Sequence, residues 1–299
     1  MSRSVTQLFQ AAGEENLLSA PTVTTLSGAN VGTQIAAALK GSMDVESIQS
    51  SEVLLTGVLV DDSGSITCAQ SRGKGGRFGP TEDHSQLVRD GCNAVIDALM
   101  GSKQLDSILT HCRYLNGTVL YPFVPLKQAV RMDDVNYQAN GGTPLYDQSV
   151  VFLGTILAKA KEFDENGVPV RTASLIVTDG RDEHSRKHGA KDVFSIVADM
   201  LRQETHIIAG MGIDDGGNTD FWEIFCGIPV AEIEQAKAAG TLATLRPRGG
   251  MGILPRFILT PGNNAKELRA AFQVFSQSAV RASQNAGSFS QVALGGFGK

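Results

Sequence analysis

The sequence predicts an α/β fold: a three-layer, doubly wound, mostly parallel sheet with helices on both faces and one antiparallel edge strand, Rossmann-like in organisation. Three observations predict it. Apolar runs without polar alternation, VLLTGVLV (53–60), ASLIV (173–177) and HIIAGMGI (206–213), read as strands buried on both faces. Between them lie stretches with apolar residues at three- and four-residue spacing, the pattern of helices with one buried face. Asn116-Gly117 separates DSILTHCRYL from TVLYPFVPL, the strongest short hairpin signal, and so supplies the antiparallel strand.

The elements follow in order. Residues 1–51 are rich in Ser, Thr, Ala and Gly, with thin candidate helices near 4–12 and 31–40, and read as an N-terminal arm or docking segment. The domain proper spans 52–285. Its first strand runs from Glu52 to Val60, and a helix over 83–100 carries Leu87, Cys92, Val95, Ile96 and Leu99 on one stripe. After the hairpin, Pro144 opens a long helix, where its fixed φ suits a first turn. A helix over 191–203 uses Val193, Val197, Met200 and Leu201, and a helical stretch begins near 219. FILT (257–260) reads as the last strand, and Asn264 with Glu267 as a capping box for a final helix with Leu268, Phe272 and Phe275 inward. Two loops, 68–82 and 231–256, are longer than such a fold needs. Residues 286–299 read as a flexible tail, with Phe289, Val292, Leu294 and Phe297 as candidate docking points.

Composition narrows the function classes. A net charge of -5 argues against a general nucleic-acid binder. No run approaches the roughly 18 apolar residues needed to span a bilayer, and the N-terminus lacks the order of a secretory signal. Cys68, Cys92, Cys112 and Cys226 form no CxxC pair, so a zinc site is not expected and a reducing, cytoplasmic setting is.

The first strand ends in Asp61-Asp62-Ser63-Gly64-Ser65. By itself this is also what a polar turn or helix cap looks like. Hard divalent cations take oxygen ligands, and residues i, i+2 and i+4 of a curling loop can turn their side chains to one point. Asp61, Ser63 and Ser65 have that spacing. Thr143 follows Gly141-Gly142, and Asp179 ends another strand in Thr178-Asp179-Gly180. Both acidic stretches fall at carboxyl ends of strands, where open α/β sheets bind ligands.

These elements, in this order, resemble the von Willebrand factor A family, which includes the integrin I domains. Asp61-Asp62-Ser63-Gly64-Ser65 matches its DxSxS element, Thr143 its lone threonine and Thr178-Asp179-Gly180 its TDG element; together they match the metal-ion-dependent adhesion site. The resemblance covers about residues 52–283. It implies that Ser63, Ser65 and Thr143 contact Mg²⁺ (Mn²⁺ or Ca²⁺ as substitutes). Asp61 and Asp179 then act through water or through hydrogen bonds to the hydroxyls. Neutral hydroxyl ligands would leave the cation electrophilic, so an Asp or Glu of a protein partner completes its shell. A partner such as an AAA+ ATPase, or a stress or defence assembly, is what the resemblance suggests. Arg72, Lys74 and Arg77 in the enlarged loop would form a basic lip beside the ion, with Asp182 on the same rim; a solvated loop is the plainer reading of both.

Two other classes compete. A hydrolase or phosphotransferase could use the same ion, but the chain has no GxSxG elbow, no GxxxxGK[ST] loop and no histidine base at a strand end. RNA binding through SRGKGGR and RPRGG is disfavoured by the acidic total and 6% aromatic content. An interaction module rather than an enzyme is the expectation.

Overall fold

The computed structural model describes residues 3–67, 69–72, 78–214, 219–261 and 265–284. The first fifty residues form three helices, α1 (Val5–Glu14), α2 (Ala20–Leu26) and α3 (Ala29–Leu39), where the sequence predicts two. Ser4 and Gln7 close a capping box at the start of α1. Leu8, Phe9, Leu26, Val31 and Ile35 are buried in the same core as the strands. Each helix is short, so packing rather than intrinsic propensity must hold it.

β1 (Val53–Val60) is buried at every residue, as an uninterrupted apolar run requires. An antiparallel pair, β2 (Ala69–Arg72) and β3 (Phe78–Glu82), occupies the first enlarged loop, followed by α4 (Ser85–Met100). β4 (Ile108–Tyr114) and β5 (Val119–Pro125) form the Asn-Gly hairpin. Then α5 (Leu145–Glu165), β6 (Val170–Thr178), α6 (Ala190–Arg202) and β7 (His206–Gly212) alternate. α7 (Phe221–Cys226), α8 (Val230–Ala238), β8 (Ile258–Leu259) and α9 (Ala265–Gln284) follow among the described residues. The second enlarged loop holds α8 and packs back on the domain, with Ile233, Met251 and Ile253 buried. The expected cap at Asn264 and the tail at 286–299 lie outside the described residues.

The six strands run in the order β5-β4-β1-β6-β7-β8, and every pairing is parallel except β4 with β5 at the edge. This is the predicted α/β architecture. α5 packs on β1 and β6 and also meets α1, α2, α3 and α6, while α9 packs on the same two strands together with α4. Gly154 admits α2 and α3 closely: a Cβ there would lie 2.6 Å from Ile35 of α3 and 2.8 Å from Leu26 of α2. β1 is therefore central, and its carboxyl end, like that of β6 beside it, opens at one rim of the sheet. Among the described residues no helix is long and apolar enough to cross a membrane.

Candidate functional site

β1 and β6 are in register from Val53–Val170 to Val60–Val177, so Asp61 and Thr178 leave the sheet side by side. Asp61 is wholly buried and organises the loop that follows. Its Oδ1 accepts from the Ser63 amide at 2.8 Å, and its Oδ2 from the Thr178 hydroxyl at 2.7 Å and the Asp179 amide at 3.4 Å. The Tyr137 hydroxyl donates to the Asp61 carbonyl at 2.6 Å, pinning the backbone at the same point.

The next residues gather two hydroxyls on a second carboxylate. Ser65 Oγ donates to Asp179 Oδ1 at 2.8 Å, and the single proton of Ser63 Oγ lies between Ser65 Oγ at 2.8 Å and Asp179 Oδ1 at 3.4 Å. Asp179 comes from the end of β6, more than a hundred residues away in sequence. Ser65 is exposed while Ser63 and Asp179 are buried, so the cluster opens outward through Ser65.

Thr143 arrives by the backbone. Gly141 pairs with Ser63 in an isolated parallel bridge, its amide donating to the Asp62 carbonyl at 2.9 Å and its carbonyl accepting from Gly64 at 3.1 Å. This carries Thr143 to the same rim, ahead of Pro144, which caps α5 rather than starting it. Thr143 is buried, but no hydrogen bond joins its hydroxyl to the other four residues. Sequence reasoning missed what holds this loop. His184 Nδ1 accepts from the Thr143 amide at 2.9 Å, and its ring lies so close over Gly142 that a Cβ there would meet it at 2.9 Å. Asp147 at the start of α5 accepts from the amides of Arg186, Lys187 and His188 at 2.8–3.2 Å, fastening the loop after β6 to the helix.

Asp182 is committed in the same way. Its Oδ1 accepts from the Tyr146 amide at 3.2 Å and the Ser185 hydroxyl at 2.5 Å. Of the expected basic lip, Lys74 and Arg77 lie outside the described residues, and Arg72 is described only as the last residue of β2.

Electrostatically the rim is acidic. Neither Asp61 nor Asp62 has an ion-pair partner among the described residues. Burial first, and the neighbouring Asp61 charge as well, push the Asp62 carboxyl up to about 6, against the lowering effect of the Asn116 amide that donates to it at 3.0 Å. Its Oδ2 is buried without a hydrogen-bond partner among the described residues. Among the described residues no three His, Cys, Asp or Glu side chains converge as metal ligands. The cluster offers two carboxylates, Asp61 and Asp179, and otherwise hydroxyls. That all-oxygen set suits a hard cation. Neighbouring ligands of an octahedral Mg²⁺ at about 2.1 Å sit about 3 Å from each other, close to the 2.8 Å between Ser63 Oγ and Ser65 Oγ, which here share a hydrogen bond.

No protein-family model matches the chain, and no curated protein matches it in sequence. Its structure is similar to proximal thread matrix protein 1 from the mussel byssus, at TM-score 0.42 and 14% identity over 77% of this chain and 46% of that one. It is similar to the PilB minor pilin of Streptococcus sanguinis, at 0.44 and 10% over 79% and 63%. The pilus adhesin SpaC of Lactobacillus rhamnosus GG, in its open conformation, gives 0.45 and 10% over 78% and 31%. The chain spans less than two thirds of each, and likenesses this distant say nothing of function.

Proposed function

We propose that this chain is an interaction module of the von Willebrand factor A type, holding Mg²⁺ at Asp61, Ser63, Ser65, Thr143 and Asp179 to capture an Asp or Glu side chain of a protein partner. The observation that supports it most is the hydrogen-bonded meeting of Ser63, Ser65 and Asp179 at the carboxyl end of the sheet, with Asp61 buried behind them. When bound, the cation would supply a coordination position open to an outside carboxylate. The chain's own residues do the rest. Asp61 shapes the loop through the Ser63 amide and the Thr178 hydroxyl, and Asp179 orients the Ser65 hydroxyl, against which that of Ser63 is set. His184 fixes the backbone of Thr143. Asp61 is buried and has no ion-pair partner among the described residues, and a buried carboxylate is costly unless something offsets it, as a divalent ion would.

Calorimetric titration of Mg²⁺ into the chelator-stripped chain tests the site. One equivalent should bind, at least about tenfold more weakly in both Asp179→Ala and Ser63→Ala; affinity unchanged in both variants ends this reading. Partner capture is tested separately, by pull-down from native extract with Mg²⁺ against the same with chelator. Proteins retained equally in both would remove the role assigned to the ion.

A further inference from the structure

A backbone amide can only donate, so a ring nitrogen that takes a hydrogen bond from one carries no proton. His184 Nδ1 is in that position, 2.9 Å from the Thr143 amide. The ring proton is therefore on Nε2, on the other side of the imidazole, and Nε2 is a donor. Main chain, rather than a rotatable side chain, sets this tautomer.

The ring has little freedom to turn away. Its Cγ, Nδ1 and Cδ2 lie 2.9–3.1 Å from where a Cβ on Gly142 would stand, so any side chain at that position would displace it. The loop that carries it is tied to the same segment: the amides of Glu183 and His184 donate to the Thr143 carbonyl at 3.1 and 3.3 Å. The Ser185 hydroxyl accepts from the Asp147 amide at 2.9 Å and donates to Asp182. Both carboxylates of this loop and helix start are thus taken up locally, Asp182 by Tyr146 and Ser185 and Asp147 by three amides. Nε2 differs from everything around it. His184 is exposed, and Nε2 has no hydrogen-bond partner among the described residues.

A donor fixed this firmly beside Thr143, with nothing of its own chain to donate to, is complementary to an oxygen from outside. A carboxylate suits it, because one of its oxygens can meet a cation while the other still accepts, and hydrogen bonds to a charged acceptor are the stronger kind. We infer that His184 is a contact residue for the captured carboxylate, its Nε2–H donating to the oxygen that does not meet the cation. This rests on the metal reading above. It adds the residue that tells a carboxylate from water at the same position.

Acetate titrated into the full chain at saturating Mg²⁺ tests this, with NMR of the imidazole and calorimetry of Mg²⁺ as separate readouts. Before acetate is added, the His184 ring should show the Nε2–H tautomer. Acetate should bind saturably and move the Nε2–H proton downfield, a signature that a merely structural histidine would not give. His184→Phe keeps a ring over Gly142 without either nitrogen, and should weaken acetate binding about tenfold or more at saturating Mg²⁺. His184→Gln, whose amide both accepts and donates, should restore most of that loss. No saturable acetate binding, an unmoved Nε2–H, or equal acetate affinity in His184→Phe would overturn the assignment while Mg²⁺ binding stands. Absence of Mg²⁺ binding in the parent chain would overturn it together with the metal reading.

Discussion

The two ends of the sheet bury titratable groups for the same reason and with opposite consequences. At the carboxyl end, burial pushes the Asp62 carboxyl up to about 6, and Asp61 and Asp179 stand beside it. At the amino end, burial pushes His206 down to about 4, with Thr172 and Gln203 as its hydrogen-bond partners. In each case the medium disfavours charge. An imidazole can meet that demand by staying neutral near pH 7, whereas the Asp62 carboxyl, at about 6, is mostly charged there. His206 is therefore at rest electrostatically, whereas Asp62 carries charge that a cation would relieve.

The comparison breaks most sharply at Asp61. Asp61→Ala strands the Ser63 and Asp179 amides in a buried setting and leaves the Thr178 hydroxyl only the Gly180 carbonyl at 3.1 Å, at a cost of about 3 kcal/mol, from which relief of repulsion with Asp62 subtracts a part. Denaturant unfolding in chelator measures it, and a loss under about 1 kcal/mol would mean the rim is not built around this carboxylate. Next comes the amino end. His206 takes up its proton near pH 4 in the folded chain but near 6.5 in the unfolded one. Acidification across that window therefore protonates the unfolded state first, and stability falls as pH drops from about 6.5 to 4. The full difference is about 3 kcal/mol. His111, pushed down to about 3 by burial and by Arg113, adds to the same slope. His206→Gln should flatten the dependence without removing it, so an unchanged slope would exclude His206 as its source.

The carboxyl end was the more legible of the two in the sequence. β1, β6 and β7 announce themselves because strands covered on both faces need no polar alternation, and the acids that interrupt such runs mark their ends. Asp61 and Asp179 were therefore visible as strand-end residues, and Ser63 and Ser65 by their spacing. What holds them was not visible. Tyr137, Thr178 and His184 act across 41 to 117 residues through single hydrogen bonds, and such pairings leave no period in a sequence. α1, α2 and α3 were faint for another reason. They are short, and their buried residues pack against α5 and α6, so their stability is tertiary. The β2–β3 pair did not read as strand because the Gly- and Arg-rich SRGKGGRFG stretch runs through it and Gly79-Pro80 interrupts its second strand.

If the ends differ as argued, magnesium should act on one of them alone. At a concentration 100 times its Kd, an ion that binds only the folded chain adds about 2.7 kcal/mol. Thermal unfolding should show that rise in the parent chain and in His206→Gln, and lose it in Asp179→Ala. A rise that survives in Asp179→Ala would place the ion elsewhere.

The smallest effect discriminates best, because its sign is unusual. A carboxyl whose folded value lies above its ordinary one gives stability that is present at low pH and lost as pH rises, here between about 4 and 6. Above that window Asp62 is charged and buried beside Asp61. Asp62→Asn keeps an oxygen for the Asn116 amide and removes the charge, so in chelator at pH 7 the variant should be more stable than its parent, by about 1 kcal/mol once solvent screening is allowed for. At pH 4 the gain should vanish, since the parent carboxyl is then largely neutral too. Magnesium should shrink the difference at pH 7, because the cation offsets in the parent the charge that asparagine removes in the variant. A variant less stable than its parent at pH 7 in chelator would mean that Asp62 is held by its contacts rather than strained by its surroundings. The contrast between the two ends of the sheet would then reduce to His206 alone.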